Sequence, residues 1–567
     1  MLDHMIDRLK RSSKVSEIVL CTSTEPEDDE LIEVAQANDV LSFRGSPEDV
    51  LERMLGAADH FGFDYLLSIT ADCPLVDPEY ADLMVEKYLE TSADLIRQFD
   101  LPHGAFSYGI KVKALRKVVE IKDSNETEVW GRYFSDTGLF EVLDMEVTKE
   151  THKQPGLRMT LDYPEDFQFL EKIFAALHKE GEVFSLDEIL DFLTHNPDVV
   201  GINSKCGIKF KRRFDGQSEP KLKKTRKVER ALIVGCGSIG QRHAQNLRKL
   251  GIEEIFALRT RKGHFQNLPD DLEVVEFNSE NELKGSKFDI AIISNPSSLH
   301  LETIKKISDQ VSGIFIEKPF SDMLDGCAEA VDLMKRKRVV SFVGHNLMFH
   351  PAIEGILSFI NESDMGEILN LQCQVGQWLP DWHPYEDYKK AYYARKDLGG
   401  GVSSTMIHEI HLATKFAGLP TEVFGVFSES ELLKLDVDVC SDLMIRHSSM
   451  AVSQIHLDFI QKPLHRSGRI SFERGWASYD FNLNKAYGQD SSMEKPRLLW
   501  DGQDYDPNQA YLDELAEFIR YVEEGRIRHE HDAASSIGSM QVLDALFESV
   551  SSGTPIRIHA NEKPSFF

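Results

Sequence analysis

The sequence predicts an α/β protein built in three parts, and three observations carry that expectation. Residues 1–200 alternate short apolar strands with amphipathic helices, the pattern of a layered α/β domain. The alternation restarts at Ala231 and continues to about residue 350. After Gly366 it gives way to long alternating segments, which mark an antiparallel sheet. Domains are therefore expected at 1–203, 230–350 and 351–567, the last being α+β with an open, mostly antiparallel sheet. Residues 204–229 are basic, punctuated by Gly, Pro and Ser, and poor in apolar periodicity, so they read as a linker.

In the first part, strands are expected at Glu17–Cys21, Tyr65–Ile69 and Gly109–Val112. Helices are expected at Leu2–Lys10, Pro47–Phe61 and Pro164–Lys179. In the last part the alternating segments are Ile368–Trp378, Glu422–Ser428, Asp442–Arg446, Met450–Phe459 and Arg469–Arg474. Helices at Gln509–Glu524 and Asp532–Ser551 follow.

Bulk numbers bound the function. A chain of 567 residues is too long for one core. Its net charge of −30, from 94 acidic against 64 basic residues, argues against broad nucleic-acid or anionic-membrane binding. The basic run at 204–229 reads as solvated linker in preference to a nucleic-acid patch. Seven scattered cysteines without a C-x-x-C exclude a disulfide framework or zinc ribbon and fit a reducing cytoplasm. Met1 opens no secretory leader, and no run of 18 apolar residues exists, so no membrane span is expected.

The strongest motif is Ala231-Leu-Ile-Val-Gly235-Cys-Gly237-Ser238-Ile239-Gly240, an apolar strand entering G-x-G-x-x-G with a helical pattern behind it. Gly235 permits the tight turn, Gly237 lets a pyrophosphate approach the backbone, and Gly240 lets helix and strand pack closely. The N–H groups opening the helix at Ser238 and Ile239 would then hold the phosphates. A glycine-rich structural turn is the plain alternative. A second strand, Glu254–Leu258, ends in Arg259-Thr260-Arg261, where an NAD-selective site carries an acid for the ribose 2′-OH. Arginine suits a 2′-phosphate instead, so NADP is favoured and NAD stays open; both arginines as solvated surface residues is the bland case.

Three further motifs convert this dinucleotide fold into a resemblance. They are Ile292-Ile-Ser-Asn295-Pro296-Ser-Ser-Leu-His300, then Ile314-Phe-Ile-Glu317-Lys318-Pro319, then Leu398-Gly399-Gly400-Gly401-Val-Ser-Ser-Thr405-Met-Ile-His408-Glu409-Ile410-His411. In order and spacing, residues 229–558 resemble the glucose–fructose oxidoreductase, inositol dehydrogenase and MocA family. The resemblance implies a Rossmann domain holding the cofactor at Gly235, Gly237, Ser238, Ile239, Gly240, Arg259, Asn295, Pro296, His300, Glu317 and Lys318. It implies that Lys318 lies beside the nicotinamide and that His408 is the general acid/base, with a cis bond before Pro319. An ammonium beside a substrate oxygen steadies a developing alkoxide, and imidazole titrates near neutrality. Thr405 and His411 stand where the family often has Asp, so the partner of His408 is left open. The plain alternative makes both histidines hydrogen-bonded helix residues, more so for His411 than for His408, and a metal pair is the sharper alternative. Gln377-Trp378-Leu-Pro-Asp-Trp382-His-Pro, with Tyr388 and Arg395, looks like a branch tied to surface-polysaccharide sugars. Gln377, Trp382, Tyr388, Arg395 and His411 are the substrate-binding candidates, against aromatic core material as the alternative.

The first part carries Arg44-Gly-Ser-Pro47-Glu-Asp49-Val-Leu-Glu-Arg53, then Ser68-Ile-Thr-Ala-Asp72-Cys-Pro-Leu-Val-Asp77-Pro78, then Arg158-Met-Thr-Leu-Asp162-Tyr-Pro-Glu-Asp166. Together they resemble the cytidylyltransferases that activate acidic sugars, the spore-coat polysaccharide type, over about residues 1–200. The resemblance implies a nucleotidyltransferase-like α/β domain in which Asp72 and Asp162 hold Mg2+ against a triphosphate. The alternative is that Asp72 caps a turn and Asp162 caps the helix after Pro164. Met1-Leu-Asp-His-Met-Ile6 resembles the family segment that follows its first strand and nucleotide loop, so weak or no transferase activity is expected. The expected whole is a cytoplasmic, homo-oligomeric NAD(P)-dependent oxidoreductase acting on a sugar or nucleotide-sugar. A transferase with the second half as passenger, or a non-catalytic nucleotide sensor, are its rivals.

Overall fold

A computed structural model describes residues 1–207, 219–261, 268–269, 272–384, 386–428 and 432–558. The chain divides into two units, Met1–Lys223 and Lys224–Phe567. The boundary falls inside the stretch expected as linker, of which residues 208–218 lie outside the described residues. Leu222 is buried in the core of the amino-terminal unit, and Val228 in that of the carboxyl-terminal unit. The flanks of the stretch are therefore packed into their own units and are not free along their whole length.

The amino-terminal unit contains six short strands: β1 (Val19–Ser23), β2 (Leu41–Gly45), β3 (Tyr65–Ser68), β4 (Leu95–Arg97), β5 (Tyr108–Lys111) and β6 (Val142–Asp144). β1 and β2 pair in parallel, and the other four form a mixed sheet in the order β3-β5-β4-β6. Helices flank them at Val50–Phe61, Pro78–Thr91, Val112–Ile121 and Pro164–Leu177. The helix expected from Pro47 starts at Val50, because the Asp49 carboxylate accepts from the Glu52 N–H and caps it there. β2, β4 and β6 went unforeseen, being three to five residues long without a clean alternation.

The carboxyl-terminal unit opens with six parallel strands: β7 (Arg230–Val234), β8 (Glu254–Leu258), β9 (Val275–Phe277), β10 (Ile290–Ile293), β11 (Gly313–Glu317) and β12 (Val340–Gly344). Their order, β12-β11-β10-β7-β8-β9, reverses direction between β7 and β10. A ligand crevice belongs at that switch, outside the carboxyl ends of the strands. β7, β10, β11 and β12 are almost wholly buried, as parallel strands covered on both faces must be.

A nine-stranded sheet follows: β13 (Ile368–Gly376), β14 (Pro420–Phe427), β15 (Cys440–His447), β16 (Val452–Asp458), β17 (His465–Phe472), β18 (Gly475–Asp480), β19 (Lys485–Asp490), β20 (Arg497–Asp501) and β21 (Ile556–Arg557). Its order is β20-β19-β18-β17-β13-β16-β15-β14-β21, and only β13 and β16 run parallel to each other. Leu371, Leu443, Ile445, Ile455, Leu457 and Ile470 point to one face and join the large core. Helices Pro351–Glu362, His408–Ala417 and Ile537–Ser552 cover that face. Along the opposite face, Phe424, Val426 and Met444 are exposed. No helix among the described residues is long and apolar enough to cross a membrane. None of the cysteines among the described residues forms a disulfide.

Candidate functional site

The glycine turn behaves as its spacing implies. Gly235 has φ +91, and a Cβ there would lie 2.6 Å from the Asn295 nitrogen. A Cβ on Gly240 would lie 2.2 Å from the Gly235 carbonyl oxygen, so only glycine lets the helix start this close to β7. Gly237 meets nothing within 4 Å, leaving its surface open to a ligand. The helix Ser238–Lys249 has Gly237 as N-cap and no side-chain cap. Its first turn, with Ser238 and Ile239, thus presents backbone donors and the positive end of the helix dipole.

The strand-end loops are tied to this turn. Ser294 Oγ donates to the Gly235 carbonyl at 2.6 Å. Asn295 Nδ2 donates to Thr303 Oγ1 at 2.9 Å, while Asn295 Oδ1 is buried without a partner. His300 is buried and spends both ring nitrogens on carbonyls: Nε2 lies 2.9 Å from Asn295 O and Nδ1 lies 3.1 Å from Pro319 O. It therefore staples the Asn295-Pro296 loop to the Lys318-Pro319 loop. Gly399 has φ +80, and a Cβ there would sit 2.2 Å from Ser297 Oγ, so the triple-glycine turn closes directly on the same loop.

Arg259, at the end of β8, is a buried side chain whose Nη1 lies 2.9 Å from Glu276 Oε2. Arg261 reaches the same oxygen at 2.8 Å. Both arginines thus share one carboxylate; Arg259 is buried, against the plain alternative of a solvated surface residue, whereas Arg261 is exposed, as that alternative has it. Glu276 itself was not singled out from the sequence.

At the carboxyl end of β11, Lys318 precedes a cis peptide bond to Pro319. Its Nζ donates to the Thr405 carbonyl at 2.8 Å. Burial pulls the Lys318 ammonium below its usual range, partly opposed by Glu317. Glu317 is held by His243, whose Nε2 lies 2.6 Å from Oε1; against the cost of burial, that bond keeps the carboxyl below its ordinary value. Glu514, from the helix Gln509–Glu524, is almost completely buried near the same pair. Burial and the charge of Glu317 push its carboxyl well up, with Lys318 opposing.

His408 opens the helix His408–Ala417, buried, with Nδ1 lacking a partner. Burial, then the charges of Lys318 and Arg466, hold its imidazole far below the usual histidine value. His345, just beyond β12, lies edge-on to His408 with ring centroids 5.8 Å apart. His345 also stacks flat on His411 at 3.5 Å. His411 Nδ1 lies 3.1 Å from Ser539 Oγ. Burial depresses His345 and His411 as well, so all three rings are neutral near neutral pH. Beneath them Arg466 of β17 forms a two-pronged ion pair with the fully buried Glu409, at 2.6 and 2.9 Å. His243, His345, Arg466 and Glu514 were all missed in the sequence. Each arrives from a distant element, and only the buried position of His243 on the first helix of the dinucleotide motif gave a local signal.

The substrate candidates separate. Trp382 packs against Tyr393 and Phe459, each ring centroid 5.4 Å away, with its Nε1 buried and unpartnered. Arg395 is exposed and paired with Asp397. Among the described residues, neither Gln377, Tyr388 nor Arg395 makes a hydrogen bond or ion pair to Lys318 or His408. Tyr392, not chosen from the sequence beyond its aromatic neighbourhood, lies near Glu317.

In the amino-terminal unit Asp72 and Asp162 are brought together: the Leu161 N–H donates to the Asp72 carbonyl at 2.9 Å. Both carboxylates act on the half-buried His103. Asp162 pairs with Arg158, which also grips Asp166. The N-cap of the helix Pro164–Leu177 is Tyr163, and Asp166 accepts from the Asp162 and Tyr163 N–H groups. The capping alternative for Asp162 is therefore corrected, since the capping carboxylate is Asp166. Carboxylate oxygens are the donors a hard divalent ion such as Mg2+ prefers, and that of Asp162 is held by Arg158.

Comparison with known proteins follows the same division. Residues 1–189 match the cytidylyltransferase family, residues 229–345 the oxidoreductase family with an NAD-binding Rossmann fold, and residues 356–478 the GFO/IDH/MocA C-terminal domain. The uncharacterized protein MJ1063 of Methanocaldococcus jannaschii is 32% identical over 208 residues, covering 36% of this chain and 84% of that protein. The spore coat polysaccharide biosynthesis protein SpsF of Bacillus subtilis is 24% identical over 205 residues, covering 35% of this chain and 85% of its own. The structure of levoglucosan dehydrogenase in complex with NADH and levoglucosan superposes with a TM-score of 0.53 at 16% identity, over 58% of this chain and 99% of that one. The chain belongs to the GFO/IDH/MocA oxidoreductase family over residues 229–345 and 356–478, and carries a cytidylyltransferase domain over residues 1–189 ahead of it.

Proposed function

We propose that the carboxyl-terminal unit oxidises or reduces a sugar, free or nucleotide-linked, with NAD(H) or NADP(H). The observation that carries this is the Lys318 ammonium, fixed by the Thr405 carbonyl on the loop facing the dinucleotide turn, with His408 close enough to feel its charge. The nicotinamide, when bound, would supply or accept the hydride at the sugar carbon. Lys318 would donate a hydrogen bond to the reacting oxygen and steady its negative charge. His408, neutral and with a free nitrogen, would take the hydroxyl proton during oxidation and return it during reduction. The His345–His411 stack would hold that ring in place. The triple-glycine turn, closed on Ser297, would set the distance between sugar and cofactor.

The dinucleotide would lie against Gly235–Gly240, Asn295 and Pro296, with residues 230–350 as its domain and 351–567 as the substrate and oligomerisation domain. A sugar substrate is supported by the likeness of the amino-terminal unit to a polysaccharide biosynthesis protein, and by a fold that levoglucosan dehydrogenase uses on a sugar. The exposed apolar residues of the nine-stranded sheet support a homo-oligomer. In the amino-terminal unit, Asp72 and Asp162 would hold Mg2+ and substrate phosphates if transfer occurs.

The test is a panel of free and nucleotide-linked sugars followed at the nicotinamide absorbance band, with the parent chain and Lys318→Ala. The parent chain turns over at least one sugar. The variant loses on the order of 10²- to 10³-fold in kcat, the scale of one lost charge-stabilising donor. Unchanged turnover in Lys318→Ala overturns the assignment.

A further inference from the structure

A second polar cluster lies in the nine-stranded sheet, on the face that looks away from the core. β15 and β16 are antiparallel, and their register sets Cys440 opposite Asp458 and Asp442 opposite His456. Alternation turns these four away from Leu443, Ile445, Ile455 and Leu457, which fill the core. Cys440 Sγ, an Asp442 carboxylate oxygen and a His456 ring nitrogen all lie within 4.8 Å of one another. Among the described residues this is the only group of three or more such donors at that spacing.

The fourth residue organises the other three. Asp458 is buried, and its Oδ1 accepts from the backbone N–H groups of Ile460 and Gln461. Its Oδ2 lies 3.1 Å from His456 Nε2. Gly376, its partner on β13, makes room: a Cβ there would stand 2.2 Å from Asp458 Oδ2. A carboxylate anchored in this way fixes the ring through Nε2, so Nδ1 is the nitrogen that would ligate a metal. That Nδ1 lies 2.7 Å from Asp442 Oδ1. We propose that Cys440, Asp442 and His456 bind a divalent metal ion of the zinc class, with Asp458 orienting the imidazole from behind.

The donor set selects the ion. Thiolate and imidazole favour zinc-like metals over Mg2+ or Ca2+, which prefer all-oxygen shells. Three protein ligands with Asp442 and His456 partly open to solvent leave a fourth position for water or a ligand.

The test uses the full chain, stripped with a chelator and titrated calorimetrically with Zn2+ alone, then with Co2+ as an optical reporter. One Zn2+ binds per chain with proton release, and Co2+ gives a thiolate charge-transfer band in the near ultraviolet. Cys440→Ser removes that band and His456→Gln abolishes tight binding. Asp458→Asn weakens affinity about 10- to 100-fold, the range for loss of a carboxylate behind a metal-bound histidine. Asp442→Asn also weakens binding and, at a half-exposed position, leaves the packing of the fold intact. Circular dichroism and dinucleotide binding verify the fold of each variant. Absence of saturable Zn2+ binding in the parent chain overturns the proposal. So do Cys440→Ser and His456→Gln chains that bind Zn2+ as tightly as the parent.

Discussion

His408 and His456 sit in the same carboxyl-terminal unit, and their surroundings drive them in opposite directions. His408 lies among Lys318, Arg466 and His345 in a buried pocket, and burial with like charge keeps it neutral. His456 lies between Asp458 and Asp442 on an open sheet face, and they hold it protonated to about pH 9. The residue type is the same and the chemistry differs, because burial and the sign of the nearest charges decide which protonation state survives. A neutral ring with a free nitrogen suits proton transfer; a ring gripped by two carboxylates suits a cation.

The contrast has opposite signs in stability. The unfolded chain takes up a proton on each histidine near pH 6.5, the ordinary value. His345, His408 and His411 protonate in the folded chain only well below that, so their contribution is present above pH 6.5 and is lost as pH falls. His456 is raised, so its contribution is present below pH 6.5 and is lost as pH rises towards about 9.

The largest expected effect comes from breaking the buried side of the comparison. His408→Gln removes the proton acceptor and should lower kcat by about 10²- to 10⁴-fold. In the parent chain the acid limb of kcat/KM lies below pH 6.5, and in this variant it disappears; a pH–rate profile checks both. Next, Glu409→Gln strips the partner from Arg466 and leaves a buried charge beside Lys318 and His408. Urea unfolding should then lose about 3–5 kcal/mol, the cost of a broken buried pair. The smallest effect belongs to the cofactor end. Arg259→Asp separates the guanidinium from Glu276 and places two acids together, so the ratio of NADP to NAD affinity should fall about tenfold, one lost charge-assisted contact. Fluorescence titration with both reduced dinucleotides measures it, and an unchanged ratio removes Arg259 from cofactor choice.

What the sequence disclosed follows from how local each signal is. The Gly235–Gly240 turn, Lys318-Pro319 and the triple glycine are contiguous motifs, and their steric demands appear as near-contacts at Gly235, Gly240 and Gly399. The helix Gln509–Glu524 was legible because its apolar stripe is continuous. Strands β18, β19 and β20 were not, since they are short hairpin strands carrying Lys485, Tyr487 and Arg497 on mixed faces. Arg466, Glu409 and His345 come from separate elements, and nothing in their own neighbourhoods announces the meeting. The Cys440–His456 cluster was invisible for the same reason: it depends on strand register, which sets Cys440 opposite Asp458 and Asp442 opposite His456 only once β15 and β16 are aligned.

The most direct test of the central claim is a titration of the full chain with NADH and NADPH, beside Gly235→Ala and Lys318→Ala. The parent chain and Lys318→Ala should each bind at least one dinucleotide saturably. Gly235→Ala, whose new Cβ would collide with the Asn295 backbone, should lose binding. A parent chain that binds neither dinucleotide, or a Gly235→Ala chain that binds as the parent does, contradicts the claim.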